Sequence, residues 1–237
     1  MRKLLFFLFL IFLLLGFLFY FFFFSDFFKI KEIKVLPQGI VKEDLILKKL
    51  KEKKLFGFLP LDNIFLIKAK DLEISFPEIK KVKLEKDFKN RILKIYLEKR
   101  KEVLIWCQKN LKCFSVDEEG VAFKEASFIE GLDLIYVVDD FKRKISLAQK
   151  VASSKVIKMI KEIYQNFKGK LEIDYFIYPE EKFQEIHLKT KKGILYLFNL
   201  KENFSQQIET LKKLLDKGKI KVKEYLDLRS LPRVYYK

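Results

Sequence analysis

The feature that most constrains this chain is an uninterrupted apolar run from Leu4 to Phe24, in which Gly16 is the only residue that is not hydrophobic. Because a helix rises about 1.5 Å per residue, such a run crosses the roughly 30 Å hydrocarbon layer of a bilayer with little to spare. A cleaved signal peptide has a shorter apolar region and a small-residue cleavage site, whereas this run ends in four phenylalanines followed by Ser25 and Asp26. The sequence therefore predicts an uncleaved, single-pass membrane anchor within residues 1–25, preceded by a tail of three residues.

The charge balance is strongly basic, with 49 lysines and arginines against 32 acidic residues and a net charge of +17. Such a surplus suits an anionic partner, such as nucleic acid, anionic lipid or an acidic cell-wall polymer. The basic residues are nearly all lysines spread along the chain among glutamates, which is more typical of evenly solvated surfaces. Nucleic-acid binding needs a basic stripe with central arginines or stacking aromatics. The aromatics here lie mostly in the apolar run or at alternating positions, so no nucleic-acid partner is predicted.

Residues 26–99 predict a small module with the order strand, helix, helix, strand, strand. Apolar and charged residues mix between Phe28 and Val35 with one break in their alternation, which favours a strand that contains a bulge. Apolar residues at helical spacing then favour two helices, and alternating residues favour two further strands. The predicted helices are Lys42–Lys54 and Lys68–Phe76, and the predicted strands are Ile79–Glu85 and Arg91–Glu98.

Residues 100–237 predict a mixed β-sheet with two helices packed on one face, so the fold class of the chain is α+β. One helix is predicted from Ser146 to Phe167, because Ser146 and Gln149 have the spacing of a capping box. The second is predicted from Asn203 to Lys217, where Gly218 ends it. Strands are predicted at Val103–Gln108, Lys112–Val116, Val121–Phe123, Leu134–Val138, Leu171–Tyr178, Gln184–Lys189, Ile194–Phe198, Val222–Leu228 and Val234–Tyr236.

No spacing of residues in the sequence indicates catalysis. The only histidine, His187, sits in a strand pattern without a nucleophile motif, so a structural or exposed histidine is favoured over a catalytic one. Acidic clusters such as Asp117-Glu-Glu119 fall at predicted turns, where solvated charge is usual. The glycines form no phosphate-binding loop, and no set of ligands suits zinc. No catalytic residue, cofactor or metal is predicted, and the chain is expected not to be an enzyme.

The two cysteines, Cys107 and Cys113, lie on the two arms of a predicted hairpin. If its loop is Lys109–Leu111, the two residues face each other at a distance that a disulfide can bridge. An extracytoplasmic, oxidising location permits that bond. The alternative is a pair of free thiols in the core, and only the register of the hairpin separates the two cases.

Taken in order, these segments resemble the FtsQ/DivIB family of bacterial cell-division proteins. The order and spacing of the pieces carry the resemblance, which covers nearly the whole chain. The pieces are Phe28-Lys-Ile-Lys-Glu-Ile-Lys-Val35, Asn63-Ile-Phe-Leu66, Phe76-Pro-Glu-Ile79, Leu97-Glu-Lys-Arg100, Val103–Trp106, Val116-Asp-Glu-Glu-Gly-Val-Ala-Phe123, Leu211-Lys-Lys-Leu-Leu215 and Tyr225-Leu-Asp-Leu-Arg229. Two positions depart from the family's pattern: Glu102 stands where proline is common, and Ser230 where many members have an aromatic residue.

The resemblance implies a POTRA domain at residues 26–99 and a β domain at residues 100–237. It implies an N-terminus inside the cell and an ectodomain outside the cytoplasmic membrane at the division septum, although the charges that flank the anchor are nearly balanced. It further implies a non-enzymatic scaffold that recruits FtsB/DivIC-like and FtsL-like partners to control septal peptidoglycan synthesis, with other divisome membrane proteins held by the POTRA-like module. The partner-binding residues that it implies are Tyr225, Asp227, Arg229, Arg233, Val234, Tyr235 and Tyr236.

A C-terminal edge strand suits this role, because a partner segment adds to such an edge by β-augmentation. Three alternatives stay open. The strand completes the sheet and its edge is covered; the basic ectodomain binds an anionic polymer or lipid, with steep salt dependence; or the chain is a membrane-tethered hydrolase, whose cleft would hold a perturbed carboxylate pair or His187 beside a hydroxyl.

Overall fold

The computed structural model of the chain describes residues 2–52, 54–55, 59–60, 63–109, 112–127, 134–141, 143–179, 183–201, 204–218 and 221–237. The chain divides into two compact units, unit 1 (Met1–Lys99) and unit 2 (Arg100–Lys237). The sequence-based division also falls between residues 99 and 100, but it treats residues 1–25 as a separate segment. In the described residues, five helices combine with a large β-sheet, which confirms the predicted α+β class.

The first helix of unit 1, α1 (Arg2–Phe24), coincides with the apolar run. Leucine and phenylalanine dominate it, and no proline or charged residue interrupts it after Lys3. Among the described residues it is the one helix long and apolar enough to cross a membrane, and none of its apolar stretch is buried. Some signal sequences meet the same length and composition criterion as a membrane anchor, so this observation establishes a helix of membrane-spanning length and does not test whether it is cleaved.

Unit 1 continues with a three-stranded sheet and two helices. After a 3-10 turn at Asp26–Phe28, its elements in chain order are β1 (Glu32–Leu36), α2 (Glu43–Glu52), the two-residue strands β2 (Lys54–Leu55) and β3 (Leu59–Pro60), α3 (Ala69–Ser75), β4 (Ile79–Asp87) and β5 (Ile92–Lys99). The sheet has the order β1-β5-β4, with β1 parallel and β4 antiparallel to β5. Side chains alternate along a strand, so Ile33 and Val35 of β1 pack with Leu93 and Ile95 of β5 in one buried cluster.

The first strand begins later than predicted, and the predicted bulge is not part of it. The side chain of Ser25 accepts a hydrogen bond from the N–H of Phe27 at 3.2 Å, which caps the 3-10 turn that follows. The strand-type pairing of Lys29 is an isolated bridge to Asn63 that does not belong to β1. The break in alternation therefore marks the passage from this turn into β1 at Glu32, and β1 pairs with β5 without a shift in register.

Unit 2 is built on a nine-stranded mixed sheet with the order β14-β13-β12-β11-β10-β9-β6-β7-β8. Its elements in chain order are β6 (Leu104–Gln108), β7 (Cys113–Val116), β8 (Ala122–Ala126), β9 (Tyr136–Asp139), α4 (Ser154–Phe167), β10 (Ile173–Tyr178), β11 (Glu185–Thr190), β12 (Leu195–Asn199), α5 (Phe204–Lys217), β13 (Tyr225–Asp227) and β14 (Tyr235–Tyr236). The pairs β6–β9, β9–β10 and β12–β13 are parallel, and the remaining pairs are antiparallel. The predicted start of the second helix, Asn203, lies outside the described residues.

One face of this sheet carries the core of unit 2. Trp106, Phe176 and Phe198 point to the same side of three strands, where Ile160 of α4 and Leu211 of α5 are fully buried against the same cluster. Alternate residues such as Ile105 point to the opposite side, where neither α4 nor α5 contributes to the small cluster that forms. We call this second side the helix-free face. The predicted packing of both helices on one face is thus what the structure shows.

The fourth helix begins eight residues later than the capping-box spacing predicts. Ser146 and Gln149 do hydrogen-bond, through the N–H of Ser146 and the side-chain oxygen of Gln149 at 3.0 Å, but they close a turn in which Ala148 has a φ of +64°. The main chain of Ala148 and Gln149 pairs with Ala122 at the start of β8 and does not form a helix. α4 starts at Ser154, capped by the side chain of Ser153.

Candidate functional site

One of the two edge strands of the nine-stranded sheet is β14, and its neighbour in that sheet is β13. The pairing is antiparallel, with Asp227 directly opposite Tyr235. Lys237 extends the ladder, because its N–H donates to the carbonyl of Tyr225 at 3.1 Å. The predicted C-terminal strand therefore exists as a short edge strand.

The register decides which main-chain groups of β14 point outward. Leu228 donates its N–H to the carbonyl of Leu197 at 3.0 Å, so alternate residues of β13, Leu226 and Leu228, direct their main-chain groups towards β12. The residue opposite Leu226 is Tyr236, whose N–H and C=O consequently face away from the sheet. The same alternation turns the main-chain groups of Val234 outward.

The other end of the sheet is partly covered. The N–H of Ala122, at the start of β8, donates to the carbonyl of Gln149 at 2.9 Å, and its carbonyl accepts from the N–H of Ala148 at 2.8 Å. Val121 and Lys150 make an isolated bridge next to this pair. Nothing in the described part of the chain pairs with the outer side of β14 in this way. An unpaired edge is a template for another strand, so β14 is the edge at which a partner segment can add.

The two tyrosines of β14 lie on opposite faces of the sheet. Tyr235 is opposite Asp227 on the helix-free face, whereas Tyr236 is opposite the buried Leu226 and lies on the other side, where Val234 packs partly against the core. Their exposed fractions are 51% and 54%. A strand added to this edge would therefore meet an aromatic ring on each of its two sides.

A network of charged side chains braces the strand next to this edge. The Nε and Nη2 atoms of Arg229 donate to the two carboxylate oxygens of Asp227 at 2.9 and 2.7 Å, in a bidentate pair. Its Nη1 atom donates to Glu185 of β11. The main-chain N–H of Arg229 also donates to Asp227, at 2.9 Å. Arg229 thus holds β13 to a strand two places further into the sheet.

The pKa values follow from this geometry. Burial tends to raise the pKa of Asp227, but the hydrogen bonds from Arg229 outweigh it and hold that pKa below its ordinary value. The hydrogen bonds to Asp227 and Glu185 raise the pKa of Arg229. Because its guanidinium is engaged within the chain, Arg229 is better described as a positioning residue for the edge than as a free contact for a partner.

The sequence did not predict that Glu185 and His187 belong to this network. Glu185 accepts from Arg229 across 44 positions of sequence, and its other carboxylate oxygen lies 3.2 Å from Nε2 of His187. No local motif links β11 to β13. The signal that could have found Glu185 and His187 is the strand alternation itself, because it places both on the face opposite the buried Ile186 and Leu188.

We expect the stability of the chain to fall as the pH drops below the ordinary pKa of histidine. Desolvation by burial lowers the pKa of His187, and the neighbouring Glu185 only partly opposes this. The unfolded chain, with a histidine pKa of about 6.5, therefore takes up a proton before the folded chain does. The stability is fully present above that value and is lost progressively as the pH falls towards the lowered pKa.

Urea unfolding at about pH 7.5 and about pH 5.5, on the two sides of the ordinary histidine pKa, measures this effect. The emission of Trp106, the only tryptophan in the chain, reports the transition because its side chain is fully buried in unit 2. The matched control is His187→Gln, which removes the only histidine and should make the difference between the two pH values smaller. An unchanged difference in that variant would contradict the prediction.

The other predicted partner-binding residues lie near the same edge. Tyr225 is half-buried on β13, and Arg233 is exposed just before β14, with its N–H donating to the carbonyl of Ser230 at 3.2 Å. The structure thus gathers the predicted residues around β13 and β14, but it divides them between two faces and a connecting turn. These residues therefore form the edge strand and the neighbouring strand that holds it, and they do not form one continuous surface patch.

The two carboxylates at this edge are engaged by one arginine. The carboxylates of Asp227 and Glu185 are bridged by the guanidinium of Arg229, so they do not face each other as an acid and a base. Within the described residues, no group of three or more His, Cys, Asp or Glu side chains is placed to hold a metal ion.

The cysteine pair lies farther along the helix-free face. Cys107 of β6 is directly opposite Cys113 of β7, and the structure joins their sulfur atoms at 2.04 Å. Residues 110–111 of the predicted loop lie outside the described residues. The register that the sequence left open thus places the two cysteines face to face.

In comparisons with known proteins, no family model matches this chain and no curated protein matches it.

Proposed function

We propose that this chain is a membrane-anchored, non-enzymatic scaffold that captures partner chains by strand addition at β14. The observation that carries the proposal is the outer edge of β14, where the N–H and C=O groups of Val234 and Tyr236 face away from the sheet. An added strand would satisfy these groups by main-chain hydrogen bonds, which are independent of the partner's side chains. The exposed rings of Tyr235 and Tyr236 supply the side-chain contacts, and tyrosine is enriched at binding hot spots.

The division-complex identity is the more specific part of the proposal. The resemblance of the sequence to the FtsQ/DivIB family supports it. The order β1-α2-α3-β4-β5 in unit 1 also supports it, because it is the order predicted for a POTRA-like module apart from the two-residue strands β2 and β3 between the helices. On this proposal unit 2 is the β domain, and its edge receives FtsB/DivIC-like and FtsL-like partners that control septal peptidoglycan synthesis. The POTRA-like module would hold neighbouring membrane proteins.

The location follows from the same proposal. α1 is the uncleaved anchor in the cytoplasmic membrane, its N-terminus lies inside, and residues 26–237 lie outside at the septum. An oxidising extracytoplasmic compartment is where a disulfide such as Cys107–Cys113 persists. On this proposal, β14 lies on the same side of the membrane as the partner segments that it captures.

The test is a pull-down with the full chain in detergent micelles as bait. The prey are the extracytoplasmic segments of the host's FtsB/DivIC-like and FtsL-like proteins at physiological salt. We expect capture by the full chain and its loss when residues 233–237 are deleted, because the deletion removes β14. Urea unfolding followed by Trp106 emission verifies that the shortened chain is folded. A folded full chain that captures neither partner, or a deletion that leaves capture unchanged, would contradict the proposal.

A further inference from the structure

A group of aromatic rings joins the end of α1 to the body of unit 1. Phe22 stacks on Phe28 with ring centroids 5.2 Å apart, Phe28 meets Phe65 at 5.0 Å, and Phe65 stacks on Phe88 at 4.8 Å. Phe27 contacts Phe28 at 5.1 Å. We call these five residues the aromatic cluster. Phe27, Phe65 and Phe88 are 64%, 47% and 50% exposed, so the cluster presents apolar rings to its surroundings.

The topology of unit 1 brings these rings to one end of its sheet. β4 ends at Asp87 and β5 begins at Ile92, so Phe88 lies in the hairpin between them. β1 begins at Glu32, which pairs with Ile92, and the chain from α1 therefore arrives at the same end. The N–H of Ile64 donates to the carbonyl of Phe28 at 3.0 Å, which adds the segment that carries Phe65.

Hydrogen bonds fix the last turn of α1 to this end of the sheet. The final carbonyls of a helix have no partner within the helix. Nδ2 of Asn63 donates to one of them, the carbonyl of Phe22, at 2.7 Å, and the same side chain accepts from the N–H of Phe65 at 2.9 Å. Asn63 is only 1% exposed. Nη1 of Arg91 donates to the carbonyl of Asp26 at 3.0 Å. The helix is therefore tied to the aromatic cluster directly.

The two segments that flank the cluster, residues 26–31 and 86–91, are basic. They carry five cationic side chains against two carboxylates, which leaves a net charge of +3. The cationic residues are Lys29, Lys31, Lys86, Lys89 and Arg91. Lys31 and Lys89 are exposed. Exposed aromatic rings bordered by cations are the combination that binds at the boundary between lipid headgroups and acyl chains.

We propose that the aromatic cluster is a membrane-docking surface: Phe27, Phe65 and Phe88 enter the interface of the bilayer that α1 crosses, and the bordering lysines contact the phosphates of anionic phospholipids. The inference rests on one part of the proposed function, the anchor. The occupant is a lipid surface because the cluster is continuous with the last turn of the helix, so a bilayer spanned by α1 has its headgroup layer there. Docking would hold unit 1 in one orientation on the membrane instead of letting it swivel about a linker.

The experiment places a tryptophan at either end of the sheet of unit 1 in the full chain. Phe88→Trp lies in the cluster, and Leu45→Trp is the control. Leu45 lines a groove with Pro77 and Ile79, so it lies at the far end of β4 from Phe88, and β4 spans roughly 25 Å. The exposed fractions of the two side chains are similar, 50% for Phe88 and 44% for Leu45.

Each variant is reconstituted into vesicles of phosphatidylcholine and phosphatidylglycerol in equal parts, with acyl chains brominated close to the headgroup. The unsubstituted chain supplies the emission of Trp106 as background. We expect bromolipid to remove most of the added emission of Phe88→Trp and none of the added emission of Leu45→Trp. Equal quenching of the two variants in reconstituted protein overturns the inference and leaves the capture of partner strands by β14 untouched.

A second arm tests the charges. Lys31→Glu with Lys89→Glu, added to the Phe88→Trp chain, is expected to reduce the quenching, as is replacement of phosphatidylglycerol by phosphatidylcholine. The matched control reverses two exposed lysines of α2, Lys48→Glu with Lys51→Glu, and should change nothing. If neither the lysine reversals nor the removal of phosphatidylglycerol changes the quenching, the proposed contacts between the lysines and lipid phosphates are wrong. A chain that does not stay with the vesicles at all overturns the anchor, and with it both this inference and the proposed location.

Discussion

Gly120→Ala is expected to lower the free energy of unfolding of unit 2 by roughly 2–5 kcal/mol. Gly120 has a φ of +83°, a conformation that costs an L-residue about 1–2 kcal/mol. A Cβ at this position would also lie 2.0 Å from the carbonyl oxygen of Ala152. Relief of such an overlap by a shift of the main chain costs about 1–3 kcal/mol more.

The carbonyl of Ala152 cannot move away by itself. The preceding residue, Val151, is buried and donates its N–H to the carbonyl of Gly120 at 2.8 Å. Ala152 is 5% exposed and packs in the core of unit 2. A shift would therefore pull this segment from the start of β8 and disturb the core at the same time. The substitution is therefore expected to lower the free energy of unfolding of unit 2 as a whole, and its effect is not confined to one turn.

Gly193→Ala is the matched control. Gly193 has a φ of +81°, but no atom lies within 4 Å of the position that its Cβ would take. It should therefore lose only the conformational part, about 1–2 kcal/mol. Urea unfolding followed by Trp106 emission compares the two variants, since Trp106 reports unit 2. Equal losses in the two variants would show that the contact with Ala152 carries no energy.

This glycine also shows what the sequence resemblance rests on physically. It ends the run Asp117-Glu-Glu-Gly120, in which Oδ1 of Asp117 accepts from the N–H groups of Glu119 and Val121 at 3.0 and 2.9 Å. Asp117 is 1% exposed and pairs with Arg100. The run is thus a turn whose two ends, Asp117 and Gly120, are buried, whereas the glutamates between them are exposed. Its spacing reflects the requirements of a turn and does not by itself carry partner binding.

Most elements could be predicted because their signals are local. Alternation along β5 and helical spacing along α5 depend on residues a few positions apart, and the structure places both elements close to their predicted ranges. The start of α4 could not be predicted because two signals competed. The Ser146–Gln149 spacing is a genuine local turn, but the pairing of Gln149 with Ala122 over a long stretch of sequence decided the conformation.

The candidate site was predictable only in part, for the same reason. Its edge strand follows from the local pattern around Tyr235, and the neighbouring β13 follows from the alternation around Asp227. The hydrogen bond between Arg229 and Glu185 forms because β11, β12 and β13 lie side by side in the sheet. The order of strands in a sheet cannot be predicted from the local sequence of any one strand. The same holds for Phe65 and Phe88, which are isolated in sequence and stack only because the fold brings their loops together.

Proline at position 236 is expected to weaken partner capture roughly ten- to a hundredfold without unfolding the chain. The N–H of Tyr236 faces outward, so proline removes a donor that an added strand would use while the bonds between β13 and β14 remain. A partner carbonyl left without its donor in the new sheet costs about 1–3 kcal/mol, and about 1.4 kcal/mol corresponds to a tenfold change in affinity. Titration of the full chain with an FtsB/DivIC-like segment measures the effect.

Two further variants separate the main chain from the side chains. Tyr236→Ala keeps the outward N–H and removes only the ring, so it should retain more affinity than Tyr236→Pro. Tyr235→Pro removes an N–H that faces β13, because Tyr235 lies in register with Asp227, so it should detach β14 and also lose capture. Trp106 emission verifies that the core of unit 2 stays intact in all three.

The order of these effects distinguishes strand addition from contact between side chains. If a partner adds as a strand, its affinity depends on whether the outward N–H of residue 236 is present. Tyr236→Pro then binds the partner much more weakly than Tyr236→Ala does. If the partner instead rests on the exposed rings, the two substitutions at position 236 are equivalent, because each removes the same aromatic side chain. Equivalent losses would therefore contradict β-augmentation at this edge even though the partner still binds there. A larger loss for proline requires that the partner reads the main chain of β14, as an uncovered sheet edge permits.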